Sequence, residues 1–240
     1  MREIEELLKN KKKYKKAILQ EKFHSKKNTV AYVTMDGKSR ILKWFVPGLK
    51  RQMFNEYNIL KEGASKLNIP TILEKDEENN VLIMSYIIGE NLCDIINDEK
   101  TTFNEKNRLI ILLANWFFNF HNHFKTEDQF RIRGDCNLRN FILTDRIWGV
   151  DFEESRLGMV VEDIAGMCSS ILSTDPMFNS EKFKLCKNFI ESYTNLAPGR
   201  ILKINDEIAY ALLEKIQFRP DQEEILRKYS KMIREKGLNF

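Results

Sequence analysis

Apolar and polar side chains alternate through the first part of the chain in the manner of short β-strands. The segments 17–23, 29–35 and 38–46 carry this pattern, and the second of them is rich in β-branched residues. Asp36 and Gly37 separate the second segment from the third. They predict a tight hairpin, because a type I′ turn needs positive φ at both central positions.

Two charged residues interrupt apolar faces in this region. Ile41, Lys43 and Phe45 share one face of the third predicted strand, since strand side chains alternate. We expect a lysine placed between two apolar residues to reach an anionic group. After Pro47 and Gly48 a helix is predicted to about Leu67, and Glu56 interrupts its apolar stripe, which is formed by Met53, Leu60, Gly63 and Leu67.

The pattern changes from strands to helices near residue 89. Segments 72–74 and 81–87 predict two further strands, so residues 1–88 are expected to form a five-stranded, mostly antiparallel sheet with one inserted helix. Residues 89–240 predict a mostly helical lobe, with Asn104 as the expected N-cap of a long helix. The fold class predicted is α+β with two lobes.

The residues that can carry chemistry lie between positions 133 and 153. Asp135 and Asn140 stand five residues apart on one predicted loop, and Asp151 follows a short apolar segment. Phosphoryl transfer to a hydroxyl needs a carboxylate that orients the incoming group and hard oxygen ligands for Mg²⁺. An Asp and an Asn on one loop, with a second Asp nearby, can supply both.

This stretch resembles two sequence elements of the protein-kinase-like superfamily. Residues 133–140 resemble the H-G-D-x-x-x-x-N element, and Asp151-Phe152-Glu153 resembles the second element as it is often written in the aminoglycoside phosphotransferase and choline kinase branch. The resemblance covers most of the chain. Lys43 stands where that family has its third-strand lysine, and Glu56 where it has the helix glutamate that pairs with the lysine.

The resemblance implies a bilobal fold and an ATP-dependent phosphotransferase that uses Mg²⁺ or Mn²⁺. It implies that Lys43, held by Glu56, contacts the α- and β-phosphates, and that Asn140 and Asp151 hold the metal ion. Asp135 would then accept or orient the acceptor hydroxyl. By the same resemblance, Ser85, Tyr86 and Ile87 correspond to the hinge that receives adenine. His121 corresponds to the end of the helix before the loop, and Asp163 to the aspartate that braces the loop.

Three departures from the family pattern stand out. Arg133 occupies the position usually held by histidine, which is mainly structural in the family. The predicted nucleotide loop, residues 24–28, contains no glycine, so Lys26 and Lys27 are expected to contact phosphate through their side chains. The segment between Asp151 and Asp163 leaves no room for a long activation loop, which argues against a regulated protein kinase of the common kind.

Composition adds little to this interpretation. The 39 basic and 35 acidic residues leave a net charge of +4, with a local basic excess that we assign to the first predicted helix at Lys9, Lys11, Lys12, Lys13, Lys15 and Lys16. This basic helix is either a solvated face or a contact for a nucleic acid or protein partner. The four cysteines have no metal-ligand spacing, and neither a secretory signal nor a membrane-spanning run is visible, so a cytoplasmic location is expected.

Two other functional classes remain open from the sequence. One is an atypical serine/threonine protein kinase or ATPase of an RNA-modification complex, which the short segment after Asp151 and the basic N-terminal helix would suit. The other is a non-catalytic pseudokinase, which the joint presence of Lys43, Asp135, Asn140 and Asp151 disfavours. The acceptor is open as well: an amino sugar, a small alcohol, a lipid head group and a protein serine all fit the pattern.

Overall fold

A computed structural model describes residues 3–23, 27–127 and 129–239. The chain divides into two compact units. The first contains residues 1–88 together with 151–153, and the second contains 89–150 and 154–240. Residues 151–153 thus belong to the first unit, although they follow residues of the second in the chain.

The first unit is built on an antiparallel sheet of five strands in the order β1-β2-β3-β5-β4. Its strands are β1 Ile18–Phe23, β2 Thr29–Met35, β3 Lys38–Trp44, β4 Ile72–Asp76 and β5 Val81–Ser85. Asp36 and Gly37 both have positive φ, of 49° and 72°, as the predicted hairpin requires. The five predicted strands are therefore all present; β3 and β5 each end two residues earlier than predicted, and β4 ends two residues later.

One face of this sheet is closed by the start of the chain. Helix α1, Glu3–Asn10, and the 3₁₀ turn Lys12–Tyr14 precede β1. Leu8 and the fully buried Tyr14 pack with core residues of the strands, namely Ala31, Val33, Leu42, Val81 and Ile83. The Tyr14 hydroxyl donates to Asp76 Oδ2 at 2.5 Å, so the segment before β1 is tied to the end of β4.

The sequence predicts that the basic residues lie on the first helix, and this prediction is wrong for most of them. Helix α1 ends at Asn10, so five of the six lysines lie beyond it, in the 3₁₀ turn and the residues around it. Lys11 N still donates to Leu7 O, four residues back, as in an α-helix, whereas Tyr14 N donates to Lys11 O, three residues back, as in a 3₁₀ turn. Lys13 also forms ion pairs with Glu74 and Asp76, and part of the basic charge is thereby neutralised within the unit.

Helix α2, Lys50–Gly63, crosses the first unit and buries Met53, Glu56 and Leu60. It ends four residues before the predicted end. The chain leaves the helix after the glycine and closes a turn in which Leu67 N donates to Gly63 O at 2.8 Å. Glycine weakens helix propagation, and this accounts for the earlier end.

The second unit is mostly helical. Its helices are α3 Leu92–Asn97, α4 Phe103–His123, α5 Val160–Leu172, α6 Ser180–Leu196, α7 Ile204–Glu214 and α8 Glu223–Lys236. Its short strands are β6 Glu90–Asn91, β7 Phe130–Ile132, β8 Phe141–Leu143, β9 Ile147–Gly149 and β10 Arg156–Gly158. Strands β6, β8 and β9 form one small antiparallel sheet, and β7 pairs with β10.

The long helix α4 begins two residues earlier than predicted. Thr102, not Asn104, is its N-cap: the Thr102 hydroxyl accepts a hydrogen bond from Glu105 N at 3.3 Å. Threonine and asparagine are both good caps, and the cap with an acidic residue three positions later is the one that forms. Trp116, Phe117 and Phe120 of this helix are buried and form the aromatic centre of the unit.

No helix in the part of the chain that the structure describes has the length and apolarity needed to cross a membrane.

Candidate active site

Lys43 lies on β3 of the first unit with only 4 % of its surface exposed. Its ammonium nitrogen is 2.6 Å from Glu56 Oε2 and 2.7 Å from Asp151 Oδ1. A third carboxylate oxygen, Glu153 Oε2, lies at 2.8 Å. The sequence predicts an anionic group beside this lysine, and the structure has three carboxylates there. We call Glu56, Asp151 and Glu153 the carboxylate cluster.

The carboxylate cluster holds more negative charge than Lys43 can neutralise. Its carboxylate oxygens lie within 4.8 Å of one another. Burial disfavours the ammonium form of Lys43, but the three carboxylates outweigh it and raise the pKa of the lysine. Burial also raises the pKa of Glu56, with the charge of Asp151 adding to this and that of Lys43 opposing it. Such hard oxygen donors in surplus fit a divalent cation such as Mg²⁺.

Asp151 follows β9 and adopts the left-handed conformation, with a φ of +64°. This conformation is uncommon for a residue other than glycine, and Asp and Asn tolerate it best. The turn is held on the side of the first unit by Asn55 of α2, whose Nδ2 donates to Glu153 O at 2.9 Å. Phe152 is completely buried. The Asp151 side chain is 40 % exposed, so one carboxylate of the cluster faces solvent.

Glu153 and Asn28 are parts of this site that the sequence did not reveal. Glu153 was noted only as the last residue of the Asp-Phe-Glu element, and its side chain is 10 % exposed. Asn28 is 6 % exposed, and its Nδ2 donates to Glu153 Oε2. The amide oxygen of Asn28 accepts from Val46 N at 3.4 Å. No local sequence pattern indicates a contact between residues 125 positions apart. The polar residue Asn28 beside β2 is only a weak indication of it.

The remaining nucleotide positions of the prediction lie at the end of β5 and beside β2. Ser85 is tied to Thr71 by two hydrogen bonds, Ser85 N to Thr71 O and Thr71 N to Ser85 Oγ, each at 2.9 Å. The ring of Tyr86 stacks on that of Tyr32 at 4.4 Å. Ile87 is half-buried, and Lys27 is exposed. Lys26 lies outside the described residues.

The second unit contains the loop 133–140, which carries Asp135 and Asn140. Its first residues are held by Asp163 of α5, which is 1 % exposed. Asp163 accepts from Arg133 N at 2.7 Å and from Gly134 N at 3.1 Å. It also meets His121 Nε2 at 3.0 Å. Burial alone would raise the pKa of Asp163, but the hydrogen bonds it accepts lower it, so the brace is a carboxylate.

Arg133 fills the position of the family histidine and is 1 % exposed. One guanidinium nitrogen donates to Val150 O at 2.7 Å. The guanidinium carbon lies 4.8 Å from the ring centre of Phe141 and 5.4 Å from that of Trp116. A side chain at Gly149 would collide with Trp116 and crowd Arg133. The arginine is therefore accommodated by the aromatic rings and the glycine of its neighbours, and it links the loop to the residue before Asp151.

Asp135 and Asn140 face each other within this loop. Asn140 Nδ2 donates to Asp135 Oδ2 at 3.3 Å, which leaves the amide oxygen of Asn140 as the atom able to bind a metal ion. The backbone of Asn140 is fixed by Val150 N, which donates to Asn140 O at 2.9 Å. Gly134 has a φ of +78°, and a Cβ there would collide with Glu154 O, so the residue before Asp135 has to be glycine.

The structure thus brings the proposed site residues together in two groups. Lys43, Glu56 and Asp151 meet in the first unit. Asp135 and Asn140 meet in the second.

No protein-family model and no curated protein sequence matches the chain. Solved structures do resemble it. A thermostable mutant of the aminoglycoside phosphotransferase APH(4)-Ia, in ternary complex with ADP and hygromycin B, is 10 % identical with a TM-score of 0.67, and 100 % of each chain is covered.

Two further solved structures show the same likeness. An aminoglycoside-3'-phosphotransferase of type VIII is 12 % identical with a TM-score of 0.65, covering 87 % of this chain and 96 % of the other. A choline/ethanolamine kinase family protein from Mesorhizobium loti is 14 % identical with a TM-score of 0.59, covering 92 % and 88 %. At these identities the likeness concerns the fold, and the chain has the protein-kinase-like bilobal fold of the aminoglycoside phosphotransferases and choline kinases.

Proposed function

We propose that this protein is an ATP-dependent phosphotransferase that transfers the γ-phosphoryl group to a hydroxyl of a small molecule. The observation that carries the proposal is the buried lysine Lys43, held by Glu56 at 2.6 Å and by Asp151 at 2.7 Å. A buried lysine with surplus carboxylates is the arrangement expected of a site for phosphates and a divalent cation. The solved structures of the same fold include one with bound ADP.

In this proposal the first unit binds the nucleotide. Lys43 contacts the α- and β-phosphates, and Glu56 keeps its ammonium group in place. The backbone of Ser85, Tyr86 and Ile87 receives adenine, and the stacked pair of Tyr86 and Tyr32 supports that segment. The exposed side chain of Lys27, together with Lys26, contacts the phosphates from the glycine-free loop.

Mg²⁺ or Mn²⁺ would be held by the carboxylate of Asp151 and the amide oxygen of Asn140. When bound, the ion neutralises charge on the transferring phosphoryl group. The exposed and left-handed position of Asp151 leaves its carboxylate accessible for this purpose. Because Asn140 Nδ2 donates to Asp135, the amide oxygen of Asn140 is the atom that would bind the ion.

Asp135 orients the acceptor hydroxyl and receives its proton. The acceptor oxygen forms a bond to the γ-phosphorus, the bond from that phosphorus to the bridging oxygen breaks, and ADP leaves. Phosphoryl transfer has a loose transition state, so positioning contributes more than the basicity of the carboxylate. The brace of Asp163 under Arg133 and Gly134 supplies this positioning by fixing the backbone that precedes Asp135.

A small-molecule acceptor is favoured by the solved structures of the same fold, two of which are aminoglycoside phosphotransferases. A contact of the basic segment after α1 with a nucleic acid or protein partner stays a prediction. The ion pairs of Lys13 within the first unit reduce the charge available for it.

The proposal is tested by measuring ADP release from ATP and MgCl₂ with a panel of aminoglycosides, choline and small alcohols. Wild-type protein should release ADP in an acceptor-dependent way. The Asp135→Asn variant should still bind nucleotide but lose at least about 100-fold in turnover, since a positioned carboxylate contributes this much.

Other outcomes would point to the other classes. ADP release without any acceptor indicates an ATPase, and phosphate transfer to protein serine indicates a protein kinase. Nucleotide binding without turnover on any acceptor indicates a pseudokinase. Equal turnover of the wild type and Asp135→Asn would remove Asp135 from the mechanism.

A further inference from the structure

Lys43 has three carboxylates around its ammonium group: it donates hydrogen bonds to Glu56 and Asp151 and forms an ion pair with Glu153. An ammonium group has three N–H bonds. Three carboxylate oxygens lie between 2.6 and 2.8 Å from Lys43 Nζ, one each from Glu56, Asp151 and Glu153. A phosphate oxygen that approaches Lys43 therefore competes with these three carboxylates for the ammonium group.

The three carboxylates differ in how firmly they are held. The side chain of Glu56 is 2 % exposed and that of Glu153 is 10 % exposed, whereas that of Asp151 is 40 % exposed. Glu153 Oε2 is also hydrogen-bonded by the buried amide of Asn28, and the backbone carbonyl of Glu153 is bonded by Asn55. Asp151 is thus the carboxylate best placed to move from the lysine to a metal ion, and Glu153 stays beside Lys43.

A Glu153 that stays in place changes the charge that the phosphates meet. Lys43 then keeps two carboxylate neighbours, so the lysine together with them carries a net negative charge before Asp151 is counted. Nucleotide phosphates without a metal ion would be repelled there, because close charges in a partly buried site interact strongly.

We infer that Glu153 is a specificity-determining residue that makes the Lys43 site bind nucleotide phosphates as their complex with a divalent cation and exclude the metal-free nucleotide. Asn28 is the positioning residue that fixes Glu153 for this task. This assignment rests on the proposed phosphotransferase function. It also gives the glycine-free loop a role at its last residue, since Asn28 precedes β2 and donates a hydrogen bond to Glu153, the ion-pair partner of Lys43.

The test measures ADP binding by isothermal titration calorimetry, once with excess MgCl₂ and once with EDTA. In the wild type we expect ADP to bind at least about tenfold more tightly with Mg²⁺ than without. In Glu153→Gln the binding of metal-free ADP should tighten about tenfold, because one nearby negative charge is gone. Binding with Mg²⁺ should change less than about threefold, so the ratio of the two constants falls.

Two further variants complete the design. Glu21→Gln is the matched control: it makes the same change in charge at an exposed position on β1 of the same sheet, and its ratio should equal that of the wild type. Asn28→Ala keeps the charge but releases Glu153, so its ratio should fall in the same direction by a smaller factor. It also tests the inference if Glu153→Gln fails to fold, which the melting curve of each variant reports.

Three results decide the matter against us, each differently. The role of Glu153 is overturned if the ratio of the two ADP binding constants, with and without Mg²⁺, is the same in Glu153→Gln and Asn28→Ala as in Glu21→Gln. That result leaves the phosphotransferase proposal intact. Loss of Mg²⁺-dependent binding in Glu153→Gln makes Glu153 a metal ligand instead. Failure of the wild type to bind ADP under both conditions overturns the proposed function and, with it, this assignment.

Discussion

Each unit buries a lysine, and the two lysines have opposite surroundings. Lys43 in the first unit is 4 % exposed, and Lys182 in the second, on α6, is 2 % exposed. Three carboxylates surround Lys43. The partners of Lys182 are neutral: its ammonium group donates to Thr174 O and, at 2.8 Å, to Thr174 Oγ1.

The difference shows that burial does not determine the charge state of a lysine by itself. Burial lowers the pKa of Lys182 to about 8. For Lys43 the same effect is outweighed by the carboxylates, and its pKa is raised. A lysine that is kept charged by an excess of carboxylates can take part in binding anions and cations together. A buried lysine among neutral groups mainly lowers the free energy of unfolding. Replacing each lysine by methionine separates the two cases.

The largest effect is expected for Lys43→Met. Removing the ammonium leaves the buried carboxylates of Glu56 and Glu153 without their cation, so the free energy of unfolding should fall by about 3–5 kcal/mol. Phosphoryl transfer should fall by at least about 100-fold, because an electrostatic contact to the phosphates is lost. Urea unfolding and ADP release measure the two quantities. Unchanged stability would mean that the carboxylates do not depend on Lys43.

For Lys182→Met we expect the opposite sign. The variant removes a buried charge that has no carboxylate partner among the described residues, and methionine has a similar shape. Stability at pH 7 should rise by about 1–2 kcal/mol, after allowance for the lost hydrogen bonds to Thr174. ADP release should stay at the wild-type level. A loss of stability would indicate that the bonds to Thr174 outweigh the desolvation of the ammonium.

The advantage of Lys182→Met should depend on pH. The pKa of this lysine is about 8 in the folded protein and 10.5 as its ordinary value. Below pH 8 the lysine is protonated in both the folded and the unfolded protein, so burial of the charged group lowers the free energy of unfolding by its full amount. Above pH 8 the unfolded chain binds the proton and the folded protein does not, so wild-type stability rises towards pH 10.5 relative to the variant. Between pH 8 and 9.5 the difference in stability between the variant and the wild type should shrink by roughly 1.5 kcal/mol.

Lys106 offers the smallest and most exacting comparison. It is 5 % exposed and lies on α4, in the same unit as Lys182, but it forms an ion pair with Glu181 at 2.8 Å. Glu181 is 35 % exposed and can be hydrated when the lysine is removed. Lys106→Met should therefore lower stability by about 1 kcal/mol, as measured by urea unfolding. If Lys106→Met is more stable than the wild type, the ion pair with Glu181 does not compensate the free-energy cost of burying the lysine.

The sequence predicted the parts of the fold that depend on short-range pattern. The five strands of the first unit follow from alternation and from Asp36-Gly37, and α2 follows from its apolar stripe. Lys43 and Glu56 were visible because each interrupts an apolar face, and the structure places them in contact.

Contacts between distant segments could not be predicted in the same way. Asn28 and Glu153 are 125 positions apart, and neither interrupts a regular pattern. The slot that accepts Arg133 depends on Trp116, Phe141 and Gly149, which come from three elements. The cap of α4 was missed by two residues, because Thr102 and Asn104 have similar cap preferences and only the register of the first turn decides between them.

The assignment of residues 151–153 to the first unit has a consequence for how the protein is made. Synthesis of the first 88 residues supplies Lys43 and Glu56, but two of the three carboxylates come from a segment that follows 62 residues of the second unit, 89–150. A growing chain thus displays the strands and helix of the first unit before their lysine has its full set of partners. Ribosome-bound chains of increasing length can complete this set of partners only after Glu153 has left the exit tunnel.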